Sequence, residues 1–334
     1  MKKISKILLA TALAGSLASA FAAEYQTRII RFGYGLAEDS NQGHAVKAFA
    51  EDLAKRTGGK LRAKGFASAS LGNDNQMQNA LIGGAQEMTV VSTATLVGIE
   101  DSFGIYDLPF MFRTEQEADA ILDGSFGKKL AAKLEAKGLI GLVYWENGFR
   151  NLTNSKRPIT KMEDMQGVKL RVMQNPVYID MFNGFGANAI PLAFSELFTA
   201  LESHTVDGQE NPVNTIQSGK FYEVQKYLSI TKHVYSPWIV LASKKWWDGL
   251  NADEKKAIQE SAAMSRDFER KDSREAGAKA LDILREKGMQ ITVLSSKELD
   301  RLQDAARPAV AKFSANGHAE LVKEIQAELT KVRK

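Results

Sequence analysis

Short apolar runs alternate with amphipathic stretches along most of the chain. Residues 28–34 read as a first strand and 44–56 as a helix, because Val46, Phe49, Ala50 and Leu53 share one helical face and Gly58-Gly59 stops it. Residues 61–66 then give a second strand, 76–81 a short helix and 88–92 a third strand. The stretch 115–137 is predicted as one helix closed by Gly138, and 140–145 as a strand covered on both faces, since its apolar residues do not alternate with polar ones. The same rhythm recurs: strand 168–172, helix 176–182, strand 188–191, helix 195–202, then extended stretches at 228–233 and 238–242. Such alternation predicts α/β architecture with mainly parallel sheets, arranged as two lobes of similar class.

One stretch departs from this rhythm. Residues 251–287 contain no Pro, open with Asn251 and Glu254 in the spacing of a capping box, and close at Gly288. A helix of that length would be roughly 50 Å long and could bridge two lobes. The alternative is two helices broken near Gly277. A strand at 289–294 and helices over 297–331 complete the prediction.

The N-terminus carries Lys2, Lys3 and Lys6, then an apolar run over 7–22 that is too short and too rich in Ala, Ser and Gly to span a membrane well. Ala18-Ser19-Ala20 and Ala20-Phe21-Ala22 both fit the small-x-small rule of signal peptidase, so residues 1–23 are expected to be a cleaved signal peptide and the mature protein to be exported. The charge reads differently once they are set aside. The whole chain carries 44 Lys and Arg against 40 Asp and Glu; without the three lysines the balance is 41 against 40, which gives no support to nucleic-acid or anionic-membrane binding.

Several chemistries are excluded by what the chain lacks. It has no Cys, hence no disulfide, thiolate metal site or cysteine nucleophile. His44, His204, His233 and His318 show no ligand spacing, and no dinucleotide, Walker, nucleophile-elbow or zinc-protease motif occurs. No cofactor or metal is expected.

Candidate binding residues are the polar ones that follow strand-like runs, where ligands sit in open α/β sheets. Arg150 follows the apolar run ending at Trp145, and Arg171 lies on the face opposite Val168, Leu170 and Val172. Arginine holds a carboxylate with two charge-assisted bonds and stays ionised, although either residue taken alone reads first as a surface or domain-interface arginine. In the polar cluster 206–212, Asn211 offers both a donor and an acceptor. Phe194 could line a pocket or a core, and 72–76 reads as a turn and helix cap.

Taken together, the segments 167–172, 191–196, 206–212 and 221–228 resemble the periplasmic solute receptors of tripartite ATP-independent (TRAP) transporters, the DctP type, and the resemblance runs from about Ile29 to Leu329. It implies a two-lobed clamshell crossed more than once by the chain and spanned by a long helix. Lobe I is expected over 24–148 plus 237–276, and lobe II over 149–236 plus 277–334. The resemblance also implies that Arg171 holds the ligand carboxylate, Asn211 supports that grip, Arg150 adds a second cationic contact and Phe194 lines the pocket. Asp74, Asn75 and Gln76 approach from the other lobe. Where sialic-acid members carry Asn and Glu, this chain has Gly35 and Ser92. Hydroxyl and amide groups at Ser92, Asn147 and Gln174 suit a hexuronate or related sugar acid. The alternatives are a C4-dicarboxylate, another hydroxy or keto acid, or a sugar-acid enzyme. The expected partners are a small organic acid and the membrane permease, with the receptor itself a non-catalytic, periplasmic monomer.

Overall fold

The structure, a computed structural model, describes residues 23–333. The expected signal peptide lies outside the described residues but for Ala23. The described residues form ten strands, β1 (Arg28–Tyr34), β2 (Leu61–Phe66), β3 (Met88–Ser92), β4 (Leu139–Asn154), β5 (Lys169–Val172), β6 (Asn188–Pro191), β7 (Gly208–Pro212), β8 (Tyr227–Ile230), β9 (Tyr235–Ser243) and β10 (Gln290–Val293). They form two sheets that share β4. One runs β2-β1-β3-β9-β4, the other β10-β8-β4-β7-β5-β6, and helices cover both. Pairing is parallel within β1, β2 and β3 and within β5, β6 and β7, and antiparallel where β4 and β9 pass between lobes. The α/β class and the two-lobed arrangement are as expected.

Strand β4 is where the sequence reading stops short. The strand continues nine residues past Trp145, through a bulge between Glu146 and Gly148, and its second half pairs with β7 and β8 of the other sheet. Gly148 adopts φ +111, a backbone conformation that a side chain would strain, and so lets the strand turn from one sheet into the next. The polar run Glu146-Asn147-Gly148 carries no hydrophobic signal, because hydrogen bonds rather than apolar packing bury this crossing. Glu269 accepts from the Glu146 amide at 2.7 Å and from Asn41 Nδ2 at 3.1 Å, and Arg274 Nε donates to Glu146 at 2.9 Å.

The long helix is continuous over Ala252–Glu286, with the Asn251/Glu254 capping box in place. Gly277 does not break it; there the helix passes close to Asn214, where an added Cβ would come within 3.4 Å of the amide oxygen. Its first half packs Ala257, Ile258 and Ala262 into the lobe I core, while Leu284 packs with Ile216 and Phe221 in lobe II. The stretch 115–137 is instead three pieces: helices Glu115–Asp123 and Ser125–Ala132 and a 3-10 turn Glu135–Lys137. Gly124 is extended there and caps the second helix, and a Cβ on Gly127 would strike the Leu122 carbonyl, so glycine permits the sharp corner. The C-terminal tail also differs from the expected division at 277–334. Gly317, at φ +92, turns the chain back, and Val322, Ile325 and Leu329 of the final helix join Leu122 and Phe126 in the lobe I core. Among the described residues no helix is long and apolar enough to cross a membrane.

Candidate ligand-binding site

A cavity of about 570 Å³, its open mouth included, lies between the lobes. Lobe I contributes Gly35 after β1, Asp74 at the start of the helix Asp74–Gly83 and Ser92 at the end of β3. Lobe II contributes Arg171 from β5, with Gln174, Phe194 and Asn211, and Asn147 reaches in from the β4 crossing. These groups meet because both parallel sheets end at the same crevice.

Arg171 is buried, and its charge is poorly compensated by the protein's own groups. Its Nε donates to the Leu192 carbonyl at 2.8 Å, while Nη1 is buried with no hydrogen-bond partner. Burial pulls its pKa down to about 10, against the opposing fields of Glu210 and Asp74. It remains charged at neutral pH, so the site presents a cation that an incoming anion would complete. Across the cleft, Asp74 accepts from the Ser92 amide at 3.1 Å. Burial pushes its carboxyl up to about 6 despite that bond and Arg171. Asp74 and Arg171 are the two charged side chains lining the cavity; its other walls are amide, hydroxyl and apolar.

Three residues expected at the site do not line the cavity. Arg150 is fully buried and already paired: its Nε lies 2.5 Å and its Nη2 2.9 Å from the Glu210 carboxylate, and Nη2 also donates to the Glu210 carbonyl at 2.6 Å. The resemblance implied a second cationic contact here; instead β4 continues past Trp145 and turns Arg150 inward against β7. Although burial alone would raise it, Arg150 and His233 hold Glu210 below the usual carboxylate range. Gln76 is exposed and engaged in a capping box, its Oε1 accepting from the Asn73 amide at 2.9 Å. Asn75 stands at the rim, where its Nδ2 donates to Gln174 Oε1 on the opposite lobe at 2.8 Å.

Within the site, Asn211 donates to Gln209 at 2.6 Å and Asn147 accepts from Thr215 at 3.1 Å, bonds that orient both amides. Sequence reasoning missed Trp238, Gln42 and Thr215 on the cavity wall. Trp238 opens the run 238–242 and pairs directly with Ser92, a register the sequence does not reveal. The helix begins at Asn41, capped by Ser40, three residues before the expected start at 44, and so includes Gln42, which accepts from the Leu36 amide at 3.0 Å.

Residues 32–316 match the DctP family, described as bacterial extracellular solute-binding protein, family 7. The chain belongs to this family. Among solved structures, this DctP-family protein is similar to the sugar acid binding protein DctPAm of Advenella mimigardefordensis strain DPN7T in complex with galactonate. The two share 51% identity at a TM-score of 0.91, covering 92% of this chain and 99% of that one. A TRAP periplasmic solute binding protein from Polaromonas sp. JS666 bound to D-erythronate shares 39% identity at a TM-score of 0.86, over 90% of this chain and 98% of that one. The 2,3-diketo-L-gulonate-binding periplasmic protein YiaO of Escherichia coli K12 is 38% identical over 97% of this chain and 98% of its own. The DctP-family chain is thus a periplasmic solute receptor of the TRAP type, as its sequence motifs implied.

Proposed function

We propose that this receptor binds a sugar acid, a small molecule with one carboxylate and several hydroxyls, and delivers it unchanged to a TRAP permease. The observation that carries this reading is Arg171: a buried guanidinium with an unpartnered Nη1, in a cavity otherwise lined largely by amide, hydroxyl and apolar groups. The ligand carboxylate would take the Arg171 fork, with Asn211 beside it. Asn147, Ser92 and Gln174 would exchange hydrogen bonds with hydroxyls, and Phe194 and Trp238 would pack on the carbon chain. Arg150 acts from behind, neutralising Glu210 so that β7 can carry a buried carboxylate next to the site.

Within the expected class, a hexuronate or related sugar acid, we favour an open-chain member. Galactonate and D-erythronate, bound by two of them, are both aldonates, each with one carboxylate on a hydroxylated chain. Closure of the lobes around such a ligand requires contacts made only in the closed state, since a ligand held equally by both states shifts nothing. Arg171 and Asp74 face each other from opposite lobes and provide such contacts. In this reading residues 1–23 direct export and are removed, and the mature receptor works as a monomer.

The test is a thermal-shift and calorimetric panel of galactonate, D-erythronate, galacturonate and succinate, because a bound ligand raises the melting temperature by mass action. Galactonate or erythronate should stabilise most, with NMR of the recovered ligand unchanged after incubation. Stabilisation by succinate above every sugar acid would overturn the ligand class, and appearance of a product would overturn the receptor reading.

A further inference from the structure

The cavity contains a feature that carboxylate binding does not require: a second charged group, of the same sign as the ligand. Asp74 is held in place by the Ser92 amide through Oδ2, at 3.1 Å, and Oδ1 has no hydrogen-bond partner among the described residues. A Cβ built on Gly35 would lie 3.7 Å from Oδ1 and 4.0 Å from Phe194 on the other lobe, so the cleft is narrow here and glycine keeps the Asp74 oxygen uncovered. An ionised carboxylate accepts hydrogen bonds and donates none. A ligand hydroxyl can therefore satisfy Oδ1, whereas a ligand carboxylate cannot. With Arg171 as the one lining cation, a first ligand carboxylate is matched. A second would have no cation to meet and would face Asp74 in an enclosed space where like charges repel strongly.

We infer that Asp74 is the specificity-determining residue that restricts this receptor to acids with a single carboxylate, admitting aldonates and rejecting the corresponding aldarates. This rests on the sugar-acid reading and sharpens it: Arg171 takes the acid end, and Asp74 requires that whatever reaches it be a hydrogen-bond donor. The restriction comes from a group on the lobe opposite the one that grips the carboxylate, so it is applied as the lobes close.

The experiment uses matched ligands that differ only in the oxidation of the terminal carbon: galactonate against galactarate, and D-erythronate against meso-tartrate. Calorimetry on the wild-type protein at pH 8 should show each diacid binding at least about 100-fold more weakly than its monoacid, the scale expected of a like-charge juxtaposition. Asp74→Asn keeps an acceptor for the Ser92 amide and removes the charge, and should bring each pair to within about threefold, mainly by tightening the diacid. A second measurement needs no variant. Asp74 faces Arg171 and no other titratable side chain of the cavity wall, and its carboxyl titrates near pH 6, whereas the ligand acids remain largely ionised at pH 5. In the wild-type protein the gap between paired ligands should therefore narrow at least about tenfold between pH 8 and pH 5. Wild-type protein that binds a diacid within threefold of its monoacid overturns the inference and leaves the sugar-acid reading standing. A gap that persists both in Asp74→Asn and at pH 5 does the same. Failure of either monoacid to bind wild-type protein overturns the sugar-acid reading, and the restriction with it.

Discussion

Replacing Arg171 by Met separates a binding role from a structural one. The guanidinium is buried, makes one hydrogen bond through Nε and, among the described residues, finds no partner for Nη1. Arg150, the cation whose field reaches it, is already neutralised by Glu210 and cannot substitute for it. A ligand carboxylate entering the Arg171→Met cavity would therefore be desolvated with no cation to pair with, a loss of about 2–5 kcal/mol, or roughly 30- to several-thousand-fold in affinity. The effect on the empty protein runs the other way. Burying a charge without a counter-ion is costly, and an apolar side chain of similar length removes that cost, so the ligand-free melting temperature should be unchanged or higher. Calorimetric titration with galactonate, paired with scanning calorimetry of both ligand-free proteins, reads the two effects independently. Affinity within threefold of wild type would refute the assignment of Arg171. So would a ligand-free variant that melts well below the wild type, since the lost affinity would then be a folding defect.

Other outcomes follow from the same geometry. Glu210→Gln leaves Arg150 as an uncompensated buried charge and should destabilise the ligand-free protein by about 3–5 kcal/mol in urea unfolding; an unchanged midpoint would contradict the pairing. Asn75→Ala removes one rim hydrogen bond to Gln174, of about 0.5–1.5 kcal/mol, and should raise Kd by no more than about tenfold, chiefly through faster release seen in stopped-flow quenching of tryptophan fluorescence. Asp74 has its pKa raised by burial, so the folded protein holds a proton that the unfolded chain releases between its ordinary carboxyl range and about pH 6. Its contribution to ligand-free stability is present at low pH and lost as pH rises through 6. The melting-temperature difference between wild type and Asp74→Asn should therefore shift against the wild type from pH 4 to pH 7, and a constant difference would contradict it.

The architecture was legible wherever burial is apolar. Runs such as 28–34 and 88–92 announce their strands because Ile30, Phe32 and Tyr34, and Met88, Val90 and Val91, are buried in apolar cores, and the capping box at Asn251 and Glu254 announces the long helix. The lobe crossing was not legible, because Glu146 to Asn151 and Gly208 to Asn211 are buried strands built of polar residues, satisfied by partners more than fifty positions away. Arg150 lies on that crossing: a polar position after an apolar run does not reveal that the strand goes on and pairs the side chain with Glu210. Arg171 lines the cavity because Leu170 and Val172 bury the other face of its strand and so fix which way the arginine points. Asn75 and Gln76 show a different limit: sequence proximity to Asp74 brought them near the cleft, but a helix start directs successive side chains apart, and one became a cap and the other a rim contact.

The measurement that bears most directly on the whole account is a crystal structure of the receptor with galactonate. One molecule should lie between the closed lobes, its carboxylate bonded to Arg171, a hydroxyl bonded to Asp74 Oδ1, and no contact with Arg150. A carboxylate placed away from Arg171, or bonded to Arg150 with Glu210 displaced, would contradict it.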